Sequence, residues 1–179
     1  MIPLGKIFLV GMPGSGKSTI GKDLAHQLGL PFVDLDDELE KSSGSSIEEI
    51  FARDGEETFR ILEKDQLEKS NNESSTFVIA TGGGTPCFFD NIEVMKSSGL
   101  VVFFDVSPKI LSQRLIDGKG VNQRPLLKGL DEDSIESELA TKLELRLPFY
   151  NQAQLILTEG ELSLVVVQSA IEDYYKLSK

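Results

Sequence analysis

The sequence predicts an α/β sandwich around a parallel sheet, on two observations. Short apolar runs alternate along the chain with longer stretches of helical periodicity. The runs also lack polar alternation, as expected of strands covered on both faces. The runs are Ile7–Val10, Phe32–Val33, Phe77–Ala80, Val101–Phe104 and Leu155–Leu157. The helical patterns are Lys17–Leu28, Ile47–Asp54, Glu56–Lys69, Ile92–Lys96, Lys109–Leu115, Asp133–Leu147 and Leu162–Leu177. Such alternation gives a layered domain with helices packed on a parallel sheet.

Local signals fix several boundaries. Ser45-Ser46-Ile47-Glu48-Glu49 carries two overlapping capping boxes, so a helix starts there. Ser70–Ser75 (SNNESS) is a polar loop, and Gly118–Gly129 is the longest weakly structured stretch, with basic residues in it. A long loop inside a compact domain is often a lid. The acidic run Asp131-Glu132-Asp133 marks a helix start with favourable dipole placement. Pro148 should end or kink the helix that precedes it.

The chain has 179 residues, which suits one domain spanning 1–179. Hydrophobic residues make up 40% and charged residues 26%, values ordinary for a soluble protein. Cys87 is the single cysteine, so no intramolecular disulfide can form, and no zinc-type ligand spacing exists. The apolar stretch Ile7–Val10 is too short for a signal-peptide core, and no run approaches membrane-spanning length. The expectation is a cytoplasmic monomer without membrane association. The net charge of −11 argues against nucleic acid as a partner, because sequence-independent phosphate contact needs clustered Lys and Arg.

One motif carries most of the chemistry. Gly11-Met12-Pro13-Gly14-Ser15-Gly16-Lys17-Ser18 matches the phosphate-loop pattern G-x-x-x-x-G-K-[ST], between an apolar run and an amphipathic helix. The glycines let the backbone wrap around phosphates with its N–H groups pointing inward, and the helix N-terminus adds partial positive charge. Lys17 reaches the β- and γ-phosphates, and Ser18 offers its hydroxyl to Mg²⁺. Residues Gly14, Ser15, Gly16, Lys17, Ser18 and Thr19 are the candidate ATP-binding set. The dinucleotide fingerprint does not fit, since it lacks the Lys-Ser pair.

Three further clusters bear on what receives the phosphoryl group. The second run ends in Asp34-Leu35-Asp36-Asp37. On an extended strand end, Asp34 and Asp36 project to the same side, near a ligand beyond the carboxyl edge. The same residues also read as an N-cap for a following helix. The third run leads into Thr81-Gly82-Gly83-Gly84, which permits close backbone approach to a ligand or forms a flexible turn. Arg60, Arg124 and Arg146 are cations whose planar forks suit carboxylates and phosphates, though each alone could be a surface charge.

Together these segments resemble shikimate kinase. The resemblance rests on GMPGSGKST at 11–19, DLD at 34–36, IEEIFARDGEETFR at 47–60, GGG at 82–84, RPLL at 124–127 and RLPFY at 146–150. It implies the nucleoside-monophosphate-kinase-like P-loop fold, a three-layer sandwich with a five-stranded parallel sheet ordered 2-3-1-4-5. It implies ATP-dependent phosphorylation of the 3-hydroxyl of shikimate, in chorismate and aromatic amino acid biosynthesis, with Mg²⁺ as cofactor. By residue match, Asp36 contacts the shikimate hydroxyls and is the candidate base, and Lys17 and Arg124 complete the catalytic set. Arg60 and Arg146 hold the substrate carboxylate, and Gly82, Gly83 and Gly84 line the same pocket. Ser18 and, through water, Asp34 serve Mg²⁺. Arg114 falls where the family places an adenine-stacking Arg, and Arg124 belongs to a lid at about 115–129. The shikimate-binding region is about 34–62, and Thr158–Glu161 is the expected adenine loop. The stretch from Leu115 to Gln123 looks longer than in compact members, and Lys119 has no obvious counterpart. A gluconate kinase would share the P-loop and the acidic strand end, but the paired Arg60 and Arg146 with the triple glycine favour shikimate.

Overall fold

The strands form where apolar residues run together. In the computed structural model, which describes residues 5–72, 75–118 and 131–177, β1 spans Lys6–Val10 and its Ile7–Val10 stretch is fully buried. The other strands are β2 (Phe32–Asp34), β3 (Val78–Ala80), β4 (Gly99–Asp105) and β5 (Leu155–Thr158). They pair in parallel in the order β2-β3-β1-β4-β5, with Phe8 opposite both Ile79 and Val101.

Helices cover both faces of the sheet. They are α1 (Lys17–Leu28), α2 (Leu35–Ser43), α3 (Ile47–Asn72), α4 (Asn91–Ser98), α5 (Pro108–Asp117), α6 (Glu132–Tyr150) and α7 (Leu164–Leu177). Successive strand residues point to opposite faces, so two cores arise from one sheet. Ile7, Leu9, Val102 and Phe104 pack with Leu24 of α1 and Val167 and Ile171 of α7. Phe8, Val10, Val101 and Phe103 pack with Leu67 of α3, Met95 of α4, Leu111 of α5 and Leu139 and Tyr150 of α6. Full burial of each such side chain contributes about 1.5–3 kcal/mol. A third, smaller cluster of Leu39, Ile50 and Phe59 joins α2 to both halves of α3, away from the sheet.

Local chemistry sets the helix ends. Ser46 and Glu49 complete a reciprocal capping box at the start of α3, with Glu49 N donating to Ser46 Oγ at 3.2 Å and Ser46 N donating to Glu49 Oε2 at 2.8 Å. The two helices read from the pattern on either side of Gly55 follow one another directly. Gly55 breaks them with φ 80°, a left-handed conformation that side-chain-bearing residues rarely adopt. Asp131 caps α6, accepting from Ser134 N at 2.8 Å. Pro148 lies within the last turn of α6, which ends at Tyr150.

One helix follows the capping alternative rather than the extended one. Extended geometry was expected through Asp37, but β2 stops at Asp34 and α2 begins at Leu35. Asp34 is the N-cap and accepts from Asp36 N at 3.1 Å, so the capping reading holds for this aspartate. Arg124, Lys119 and most of the expected lid lie outside the described residues. Among the described residues no helix is long and apolar enough to cross a membrane.

Candidate active site

The carboxyl ends of the strands deliver the site residues to one edge of the sheet. The loop after β1 wraps tightly because Gly14 and Gly16 take φ of 83° and 99°. Lys17, only 7% exposed, folds back into this loop, donating to the carbonyls of Gly11 at 2.9 Å and Met12 at 3.0 Å. Its positive charge is thus fixed at the loop by backbone geometry. Ser18 donates to Asp34 Oδ2 at 2.5 Å, which joins the start of α1 to the end of β2. Arg114, exposed on α5, lies against the loop, its Nη1 donating to the carbonyls of Gly14 at 3.2 Å and Ser15 at 3.4 Å.

The glycine triplet sits where three elements converge. Thr81 binds it to β1, with its N and Oγ1 both donating to Leu9 O at 3.1 Å. A Cβ on Gly82 would lie 2.5 Å from Glu63 Oε1 and 2.7 Å from Asp36 Oδ1. One on Gly83 would lie 2.8 Å from Pro13 Cδ and 3.0 Å from Arg146 Nη1, and one on Gly84 would lie 2.4 Å from Arg60 Nη1. The triplet is therefore a close-packed junction against which Asp36, Arg60 and Arg146 rest, rather than a flexible turn. After it, Thr85–Cys87 forms a 3-10 turn.

Arg60 is buried and firmly held. Its Nη1 donates to Glu63 at 2.8 Å and its Nη2 to Glu56 at 3.0 Å, while the guanidinium stacks 4.2 Å from the Phe88 ring. Glu63, 2% exposed, also accepts from Thr85 Oγ1 at 2.5 Å. Arg146 differs: its Nη1 contacts Met12 Sδ at 3.5 Å, and no carboxylate within salt-bridge distance pairs with it among the described residues. Tyr150, one helical turn on, is fully buried and donates to Gly83 O at 2.5 Å. Burial raises its phenol well above the usual range, so it stays neutral. Cys87 behaves alike: burial pushes its thiol up to about 11, against the opposing pull of Arg146 and Arg60.

Two cavities open along this edge. One of about 460 Å³ is lined by the loop residues Gly14–Ile20, with Thr81, Arg114 and Leu162. The other, of about 670 Å³, is lined by Asp36, Arg60, Gly82–Gly84 and Arg146, with Phe51 and Phe59 on its wall. They share Ser18, Asp34, Asp36 and Gly83. Gly14–Thr19, Asp34, Asp36, Arg60, Gly82–Gly84, Arg114 and Arg146 each line one cavity or both, whereas Thr158–Glu161, the expected adenine loop, lines neither.

Pattern reasoning did not single out Glu63 or Lys142. Glu63 stands three residues after Arg60 on a helix, a spacing that brings the two side chains together. Lys142 lines the larger cavity from α6, four residues before Arg146, and pairs with Glu138 at 2.8 Å. A helical pair of this kind contributes about 0.3–0.5 kcal/mol.

Comparison with known proteins bears on the family. The sequence model of the family described as shikimate kinase matches residues 13–174. A shikimate kinase of Bacteroides fragilis is 45% identical over 157 residues, covering 88% of this chain and 86% of the relative. The crystal structure of shikimate kinase from Bacteroides thetaiotaomicron superposes with a TM-score of 0.85 at 40% identity, covering 97% of each chain. Shikimate kinase from Acinetobacter baumannii in complex with shikimate gives a TM-score of 0.82 at 32% identity, covering 98% of this chain and 93% of that one. The chain belongs to the shikimate kinase family, and it is a kinase that transfers a phosphoryl group to a shikimate hydroxyl.

Proposed function

We propose that the smaller cavity holds ATP, that the larger holds shikimate with its 3-hydroxyl aimed at the shared boundary, and that named side chains divide the work between them. The observation that carries this reading is the meeting of the two cavities at Ser18, Asp34, Asp36 and Gly83. A donor phosphate and an acceptor hydroxyl placed in them would face each other across those four residues.

On the donor side, Gly14–Thr19 cradle the phosphates. Lys17 stabilises charge on the β- and γ-oxygens, exchanging its loop carbonyls for phosphate oxygens. Ser18 and Asp34 offer adjacent hard oxygen donors, a set that suits Mg²⁺ bound chiefly by phosphates. Bound there, Mg²⁺ would neutralise charge on the transferring group. Arg114 flanks the adenine side.

On the acceptor side, Arg60 and Arg146 grip the carboxylate while Gly82–Gly84 let the ring lie close to backbone. Asp36 accepts a hydrogen bond from the 3-hydroxyl and aims its oxygen at the γ-phosphorus. The new O–P bond forms as the bond from the γ-phosphorus to the β–γ bridging oxygen breaks, and the hydroxyl proton passes to Asp36. The transition state is loose, so positioning and charge neutralisation supply most of the acceleration.

A coupled ADP-release assay with MgATP, with and without shikimate and with gluconate as control, tests the pairing. Release should depend strictly on shikimate. Release with neither acid, or only with gluconate, would overturn the acceptor roles of Arg60 and Arg146.

A further inference from the structure

The wall of the larger cavity is dominated by negative charge. Among the described residues, Asp34, Asp36, Asp37, Glu40, Glu48 and Glu63 line it, against the cations Arg60, Lys142 and Arg146. An anionic acceptor entering such a cavity needs cations whose charge is still available. Arg60 is poorly suited to supply it, because Glu56 and the buried Glu63 already accept from its guanidinium. Removing Glu63 from that pair would leave a carboxylate stranded at 2% exposure. Arg60 therefore orients more than it attracts.

Lys142 is placed differently. Leu139, Lys142 and Arg146 line the cavity from positions i, i+3 and i+7 of α6, one stripe of the helix. The Lys142 side chain is 19% exposed, so its stem is packed along the wall. Its carboxylate partner, Glu138, lies on the same helix and is 40% exposed, so water can solvate it when the lysine leaves. A pair this weak exchanges readily for a substrate carboxylate, whereas the buried Arg60–Glu63 pair does not.

We propose that Lys142 is a substrate-binding residue of this enzyme, a second mobile cation that works beside Arg146 to capture the carboxylate of the acceptor. The ammonium releases Glu138 and turns to the acid as the acid enters, and Arg60 then fixes its orientation. This rests on the acid-acceptor reading above.

Steady-state kinetics with shikimate and with its carboxamide, at saturating MgATP, tests the assignment in wild type, Lys142→Met and Lys142→Arg. Wild-type turnover of shikimate tests the acceptor reading by itself. Given that turnover, Lys142→Met should raise the KM for shikimate about tenfold, with kcat within about twofold and the KM for ATP unchanged. Its preference for the acid over the uncharged carboxamide should fall by a similar factor, a change that a packing defect would not produce. Lys142→Arg should restore most of both. A folded Lys142→Met, checked by circular dichroism, with unchanged shikimate KM and unchanged acid preference would overturn the assignment while leaving the acceptor reading intact. Equal losses for acid and carboxamide would also overturn it, since they report shape rather than charge.

Discussion

The donor loop and the acceptor cavity solve opposite construction problems. The loop is local: Gly11 to Ser18 shape themselves, and Lys17 finds its carbonyl partners five and six residues back. The acceptor cavity is assembled from α2, α3, the glycine triplet and α6, with Arg60 and Arg146 reaching it from residues far apart in the chain. Its parts are kept in place by a buried ion pair and by glycines that leave no room for a side chain. A locally built site should fail in its chemistry when one residue changes. A site built at a distance should fail in affinity and stability together.

Substitutions can break that contrast. Lys17→Ala, and separately Asp36→Asn, should lower turnover by about 10²-fold or more while the fold survives, since each removes a positioned group from the transferring centre. Circular dichroism beside the ADP assay reads both; near-normal turnover in Asp36→Asn would reject its role. Arg60→Ala should weaken shikimate binding by roughly 1.5–3 kcal/mol with little change in the KM for ATP. It should also destabilise the protein, because Glu63 loses its buried partner. Urea unfolding beside the kinetics would show whether the two losses travel together. An unchanged KM for shikimate would separate Arg60 from the substrate.

Cys87 sharpens the comparison through pH. Its thiol ionises near 9.0 when exposed and near 11 in the fold, so the unfolded chain loses its proton first as pH rises. Stability from this group is complete below pH 9 and falls between about pH 9 and 11, by at most about 2.7 kcal/mol, less the screening of a half-buried thiol. Comparing unfolding of wild type and Cys87→Ala at pH 8 and pH 10.5 isolates it from Tyr150, whose buried phenol acts in the same direction. An identical pH dependence in both proteins would place the thiol in contact with water. The smallest effect is expected of Gly84→Ala. The new methyl would displace the Arg60 guanidinium, raising the KM for shikimate about tenfold while sparing ATP.

What could be read from the sequence follows the same division. The phosphate loop was legible because its glycines, lysine and serine are contiguous and the chemistry demands that spacing. The sheet was legible because strands such as Ile7–Val10 are buried on both faces and carry no polar alternation. The start of the helix at Leu35 stayed undecided between two readings because Asp34 both ends a strand and caps a helix, and pattern alone cannot locate the change in backbone direction. Glu63 and Lys142 were missed because a charged residue on a helix looks solvated until the opposite wall of its cavity is known. The convergence of Gly82–Gly84 with Asp36, Arg60 and Arg146 is a tertiary fact, available to sequence only through family resemblance.

The hydrogen bond from Tyr150 to Gly83 joins residues 67 positions apart, whereas the bonds of Lys17 to the carbonyls of Gly11 and Met12 span six and five. Contacts that close long stretches of chain form late, after the entropy of closure has been met. A chain growing from its N-terminus holds every residue of the nucleotide loop before β3 has been made. The pocket for the acid must wait until α6 is complete and Tyr150 has docked. Order of synthesis thus makes the phosphate loop first, while the walls of both cavities come later: α6 for the acid, and Arg114 and Leu162 for the nucleotide.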